Sequence, residues 1–281
     1  MDRLIQGRLL LVGGGAMGEA ILAGILSSGR IAPDQIIVVE PSDERRLFLG
    51  EHYACEVIPH VAEQSFGPED VCLLAVKPQV AFEVLANLKP HLDCTLLISI
   101  AVGITIADYY KVLDSSIPVV RVMPNMPISI GQGVSLVSSA DNVMDAHKEI
   151  VTELFESAGV VEHIPEEWQT AGATISGSGP AYFSYMIDAL MASGTRAGMP
   201  RDLSLRLAAH TAIGASNILL QSNLSPQQLM DATASPGGTT EVALKMMDER
   251  GVNTDLVDAF SAAEARATEL ESRFENDLKN D

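Results

Sequence analysis

Seven short runs of aliphatic and β-branched residues recur through the first 164 positions: LLLV (9–12), IIVV (36–39), VCLLAV (71–76), TLLISI (95–100), VVRVM (119–123), VSLV (134–137) and VVEHI (160–164). The stretches between them mix polar residues with apolar positions at helical spacing. Regular alternation of strand and helix predicts a parallel, doubly wound sheet covered by helices on both faces. After Pro165 the pattern changes, and few strand-like runs remain. Pro180 opens a predicted helix that Gly198-Met199-Pro200 closes, and another runs from about Asp202 to Gln221. Ser225-Pro226-Gln227-Gln228 places an N-cap, a first-turn proline and a capping-box glutamine together. Gly251 stops the helix that follows Thr240. In the last predicted helix Leu256, Phe260, Ala263, Ala267, Leu270 and Phe274 form a narrow apolar seam, suited to another helix of this chain or of a second copy. Two domains are expected: 1–164, an α/β domain built on a doubly wound sheet, and 165–281, all-α.

Composition narrows the function classes. A formal charge of -19 repels nucleic acid and acidic membranes, so any anionic ligand needs local donors such as helix N-termini and backbone N–H nests. No stretch approaches the roughly 18 apolar residues of a membrane span, and the opening MDRLIQGRLLLVGGG reads as too short an apolar run for a secretory signal. Cys55, Cys72 and Cys94 are odd in number and lack C-x-x-C spacing. A soluble, cytoplasmic protein with reduced thiols is expected. The six histidines show no metal-ligand spacing, so no metal is expected.

The glycine-rich segments carry the chemistry. In LLLVGGGAMGEA, Gly13, Gly15 and Gly18 stand in G-x-G-x-x-G register between a predicted strand and helix, with Ala16 and Met17 inside the loop. The first glycine permits the turn, the second lets backbone approach a pyrophosphate, and the third allows close helix–strand packing. Glu40 ends the second strand, where an acid usually accepts ribose hydroxyls and opposes a 2′-phosphate. Arg45 and Arg46 follow and are either phosphate ligands or a solvated helix face. AVKPQ, with Ala75, Val76, Lys77 and Pro78, and SIAVG, with Ile100 and Ala101, end later strands at the edge where doubly wound folds keep their ligand crevice. RVMPNMP (121–127) fits the floor of that crevice. ISGSGPAYF (175–183) lacks the G-x-S-x-G of a serine nucleophile elbow, which disfavours a hydrolase. SPGGTT (235–240) sets two glycines and three hydroxyls before a helix, the chemistry of a second anion site.

Taken in order, GGGAMGEA, AVKP, RVMPNMP, SGSGPAYF and DATASPGGTTEVAL resemble the pyrroline-5-carboxylate reductases over essentially the whole chain. The resemblance implies a Rossmann-type domain, a helical C-terminal dimerisation domain that interlocks with a partner subunit, and NAD(P)H-dependent reduction of 1-pyrroline-5-carboxylate to L-proline. It implies NADPH by the family's habit, with NADH as the alternative. Ser235, Gly237, Gly238, Thr239 and Thr240 would hold the substrate carboxylate through main-chain amides and hydroxyls. Thr240 would hydrogen-bond the ring nitrogen and pass a proton, and Glu166 would approach the same nitrogen. The chain departs from the family near positions 60–62, where Val61 and Ala62 offer no side-chain hydrogen bond to the adenosine ribose. A homodimer or higher homo-oligomer is expected. The alternatives are a related imine reductase or hydroxyacid dehydrogenase on the same scaffold, and a dinucleotide-binding protein without turnover. No lysine falls between Phe183 and Arg201, where β-hydroxyacid dehydrogenases need one, which counts against the hydroxyacid dehydrogenase.

Overall fold

The computed structural model describes residues 4–61, 65–93 and 95–280 of the chain, without the side chains of Leu270 and 272–280. Ala62 and Cys94, and the side chains of Leu270 and Phe274, therefore lie outside the described residues. Eight strands form one sheet: β1 (Leu9–Val12), β2 (Ile36–Val39), β3 (Glu56–Ile58), β4 (Val71–Leu74), β5 (Leu96–Ser99), β6 (Val119–Met123), β7 (Gly133–Ser139) and β8 (Gly159–His163). Their order is β3-β2-β1-β4-β5-β6-β7-β8.

β1, β2, β4 and β5 are buried at every position. Helices cover both faces of a parallel sheet, so its central strands read as continuous apolar runs rather than alternating ones. The covering helices include α1 (Ala16–Ser28), α2 (Asp43–Tyr53), α3 (Pro78–Leu88), α4 (Ile106–Val112) and α5 (Asp145–Glu156). Strands β1 to β6 pair in parallel, as the alternation predicts, but β7 pairs antiparallel to β6. Residues 124–132, which join them, hold only a short 3-10 turn, too few for the crossover a parallel return requires. β8 then pairs parallel to β7 through α5. The edge strand β3 was not expected. It is three residues long and partly exposed, so it carries no apolar run.

After β8 every described element is helical: α6 (Gln169–Ser176), α7 (Gly179–Arg196), α8 (Arg201–Gln221), α9 (Pro226–Thr233), α10 (Thr239–Glu249) and α11 (Val252–Asn280), with one 3-10 turn at Glu166–Trp168. The boundary signals act as read. Ser225 caps α9 in a full capping box, and Gly198 and Gly251 take φ of +88 and +69 degrees. No helix among the described residues is long and apolar enough to cross a membrane.

Contacts divide the chain into two compact units, Met1–Gly177 with Glu264–Asp281, and Ser178–Ala263. Side-chain chemistry explains why α6 and the end of α11 belong with the sheet. Gln169, 1% exposed, donates from Nε2 to Ser138 Oγ at 2.9 Å and to the Leu136 carbonyl at 3.3 Å. Gly172 lets α6 approach Leu136, whose Cδ1 would lie 2.5 Å from an added Cβ. The second unit differs in kind. Met191 and Ala208 are its only buried hydrophobic residues among those described, and α7 and α8 pair along their length. Within it Phe260 of the apolar seam stacks at a tilt on Tyr182, with ring centroids 4.5 Å apart.

Candidate functional site

In the first unit the predicted nucleotide residues converge at the carboxyl edge of β1, β2, β4 and β5. Gly13, at φ +106 degrees, turns the chain out of β1, and an added Cβ there would sit 2.5 Å from the Ala75 carbonyl oxygen. Gly18 faces back on this turn, since its Cβ would fall 2.1 Å from the Gly13 carbonyl oxygen. An added Cβ at Gly15 meets nothing within 4 Å, so this residue, at the exposed N-terminus of α1, faces open space. Ala16 is exposed and Met17 half-buried beside it. The α1 N-cap receives no side-chain hydrogen bond, which leaves the first helical amides available to an anion.

Ala75 and Val76 are half-buried, Lys77 is exposed, and Pro78 begins α3 with its missing N–H in the first turn. Ile100 and Ala101 are buried. The turn that carries them is held from beneath. Ser99 Oγ accepts the Ala101 N–H at 3.2 Å and shares a 2.5 Å hydrogen bond with the Tyr109 hydroxyl. Burial pushes the Tyr109 phenol up to about 12, so it stays a neutral hydrogen-bonding group.

Around the second strand the structure supplies what spacing left open. Glu40 Oε2 accepts the Gly14 N–H at 3.0 Å, and its Oε1 accepts the Ser42 N–H at 2.9 Å. Arg45 donates from Nε to the Gly14 carbonyl at 2.6 Å, pairs with Glu19 and lies over the Phe48 ring. For Glu19, burial alone would raise the carboxyl, but hydrogen bonds from Arg45 and Tyr53 outweigh it and hold the group below its usual range. Arg46 donates to the carbonyls of Glu40 and Pro41 at 2.9 and 2.7 Å and pairs with Asp43. Beside this edge lies a cavity of about 650 Å³ whose walls include Gly13, Pro41, His60, Val61, Val80 and Glu83. Most of these residues carry no motif, and only the fold collects them.

A smaller cavity, about 230 Å³, opens at the ends of the next strands between Pro78, Val102, Arg121, Met123, Thr170 and Glu271. Sequence reasoning missed Arg121 as a site residue, although a lone charge inside the apolar run VVRVM was a usable signal. Its guanidinium, 8% exposed, bridges Glu166 at 3.4 Å and Glu271 at 3.0 Å. Glu166 Oε1 also accepts the Ile106 N–H at 2.7 Å, at the first turn of α4. The structure thus engages Glu166 with an arginine and a helix N-terminus.

In the second unit SPGGTT forms a turn that enters α10. Gly237 has φ +70 degrees, and the Gly238 N–H donates to the Ser235 carbonyl at 2.9 Å. The sequence reading counted Gly238 among the free amides, but this turn closure uses it. The Gly237 N–H donates to Glu241 Oε2 at 2.6 Å, so a carboxylate already rests on this turn. The N–H groups of Thr239 and Thr240, at the start of α10, have no partner among the described residues, and no side chain caps the helix. Ser235, Gly237 and Thr239 are exposed, and Gly238 and Thr240 half-buried.

Two known families match parts of the chain. Residues 166–270 match the family described as pyrroline-5-carboxylate reductase dimerisation, and residues 8–103 match NADP oxidoreductase coenzyme F420-dependent. A pyrroline-5-carboxylate reductase of Synechocystis sp. is 35% identical over 94% of this chain and 98% of its own length. The Plasmodium falciparum pyrroline carboxylate reductase, solved with NADP bound, superposes with a TM-score of 0.83 at 30% identity, covering 95% of this chain and 98% of that one. The Coxiella burnetii enzyme gives 0.84 at 30% identity, covering 94% and 98%. With relatives of this kind aligned along nearly its full length, the chain belongs to the pyrroline-5-carboxylate reductase family.

Proposed function

We propose that the protein reduces 1-pyrroline-5-carboxylate to L-proline, the last step of proline biosynthesis, with NAD(P)H as hydride donor. Residues 1–164 serve as the nucleotide-binding domain and 165–281 as the substrate-binding and dimerisation domain. The observation that carries this reading is a pair of uncapped helix N-termini, each preceded by a glycine turn: Gly13–Gly15 before α1 and Gly237–Gly238 before α10. One suits a pyrophosphate and the other a small carboxylate. Around the first, Gly13, Gly15, Ala16, Met17, Gly18 and Glu40 bind the nucleotide, and Ala75 to Pro78 with Ile100 and Ala101 line its reactive end.

In the second, the amides of Thr239 and Thr240 hold the substrate carboxylate, with Ser235, Gly237 and Gly238 shaping the turn. The substrate's carboxylate displaces that of Glu241. Thr240 bonds the ring nitrogen and delivers or relays the proton, while the hydride passes to the C=N carbon. Glu166 acts at one remove by fixing Arg121.

The protein works as a homodimer, or a larger homo-oligomer, in the cytoplasm. Two features support this. The second unit leaves Phe183, Leu207, Ile213, Leu220 and Val242 more than half exposed, apolar side chains that a partner subunit would cover. Cys55 and Cys72 are free and buried.

The test is loss of reduced-nucleotide absorbance when purified protein meets pyrroline-5-carboxylate, with proline identified as product. Absence of turnover with either nucleotide overturns the proposal.

A further inference from the structure

We infer that Glu40 selects the nucleotide and makes NADH the better reductant for this chain. The inference rests on the reductase reading above and concerns the adenosine end of the same site. Glu40 sits between Val39 and Pro41, both of which line the 650 Å³ cavity. Its two oxygens each accept one backbone N–H, from Gly14 and Ser42, so the carboxylate is fixed in place at the loop. Each oxygen keeps a second lone pair, and the 2′- and 3′-hydroxyls of NADH can donate to them. A 2′-phosphate has no hydrogen to donate and adds close to two negative charges beside the one already there.

The cations that would relieve this repulsion are engaged elsewhere. Arg45 is held by Glu19, the Gly14 carbonyl and the Phe48 ring. Arg46 is held by Asp43 and by the carbonyls of Glu40 and Pro41. Glu44 adds a further acid, so carboxylates outnumber guanidiniums in this corner, and no lysine or arginine lines the cavity among the described residues. Moving Glu40 aside does not solve the problem. It strips the Gly14 and Ser42 amides of their acceptor.

Two measurements on the full-length protein test this. The first compares kcat/KM for NADH and NADPH at fixed pyrroline-5-carboxylate. The second compares the dissociation constants of the two nucleotides by fluorescence without substrate. NADH is expected to lead by about tenfold or more in both. Glu40→Gln keeps the shape but removes the charge, so it should weaken NADH, strengthen NADPH and close the ratio by about tenfold, chiefly through KM. Equal or better use of NADPH by the unaltered protein overturns the inference, as does an unchanged ratio in a folded Glu40→Gln variant. If that variant does not fold, the dissociation constants of the unaltered protein still decide. If neither nucleotide supports turnover, the reductase reading fails, while the same binding constants judge Glu40 independently.

Discussion

Arg121 and Glu271, 150 positions apart, meet at 3.0 Å and join the middle of β6 to the last helix. Thr170 Oγ1 donates to the other Glu271 oxygen at 2.7 Å, so α6 enters the same contact. The arginine is nearly buried, and loss of either carboxylate leaves its charge under-compensated. Its partners are partly exposed, which tempers the cost. Glu271→Ala should lower unfolding stability by about 2 kcal/mol in urea titration. Glu166→Ala should cost at least as much, because the first turn of α4 loses its acceptor as well. If both variants match the parent protein, the network is decorative.

The glycine loop separates binding from folding. Gly15→Ala adds a methyl group that meets no protein atom, so stability should change by no more than about 0.5 kcal/mol. The same methyl group stands where a pyrophosphate would approach, and nucleotide KM should rise about tenfold or more. Gly18→Ala collides with the Gly13 carbonyl and should lower both thermal stability and nucleotide affinity. Thermal melts and nucleotide titrations on the two variants distinguish these outcomes.

At the α10 turn, Thr240→Ala should lower kcat by about tenfold to a hundredfold, with substrate KM changed far less. Thr240→Ser restores most of the rate, because it returns the hydroxyl. Replacing Gly238 and Thr239 by bulky acidic residues should raise substrate KM steeply through steric and charge conflict with a carboxylate. Full activity in that double variant would remove the carboxylate from this turn.

How much of this was legible beforehand follows from which residues carry local signals. LLLV and IIVV coincide with β1 and β2, because strands covered on both faces show unbroken apolar runs, and VVRVM coincides with β6 despite its one arginine. The loop glycines were readable because backbone conformation selects them. The reversal of β7 was hidden in strand composition but present in the nine-residue gap before it, too short for a crossover. The partners of Glu166 were not legible at all. Its carboxylate reaches positions 60 and 45 residues away, and no local pattern encodes such a meeting. Glu241 likewise looks like an ordinary first-turn acid until the turn brings Gly237 to it.

Asp108 provides a pH-dependent term. It is 2% exposed, and burial alone would raise its carboxyl. Hydrogen bonds from Lys111 and from the Thr105 hydroxyl and amide outweigh burial and hold it below its ordinary value of 3.8. A depressed folded-state value contributes stability above the ordinary value and loses it as pH falls through the depressed one. Asp108→Asn should therefore cost about 1–2 kcal/mol at neutral pH. Denaturant titrations should show the gap from the parent protein narrowing once the pH falls below 3.8. A gap constant across that range would show that the ionised form contributes nothing.

The middle glycine of GGG has a meaning beyond flexibility. A Cβ on Gly14 would lie 2.4 Å from Leu49 Cδ1 and 3.2 Å from Glu40 Oε2, so the interior face of α2 and the Glu40 carboxylate share one crowded point. Evolutionary drift at this corner is consequently coupled. A descendant exchanging Glu40 for a phosphate-binding residue would have to find new acceptors for two amides without disturbing Leu49, so change in coenzyme is expected to arrive through several concerted replacements.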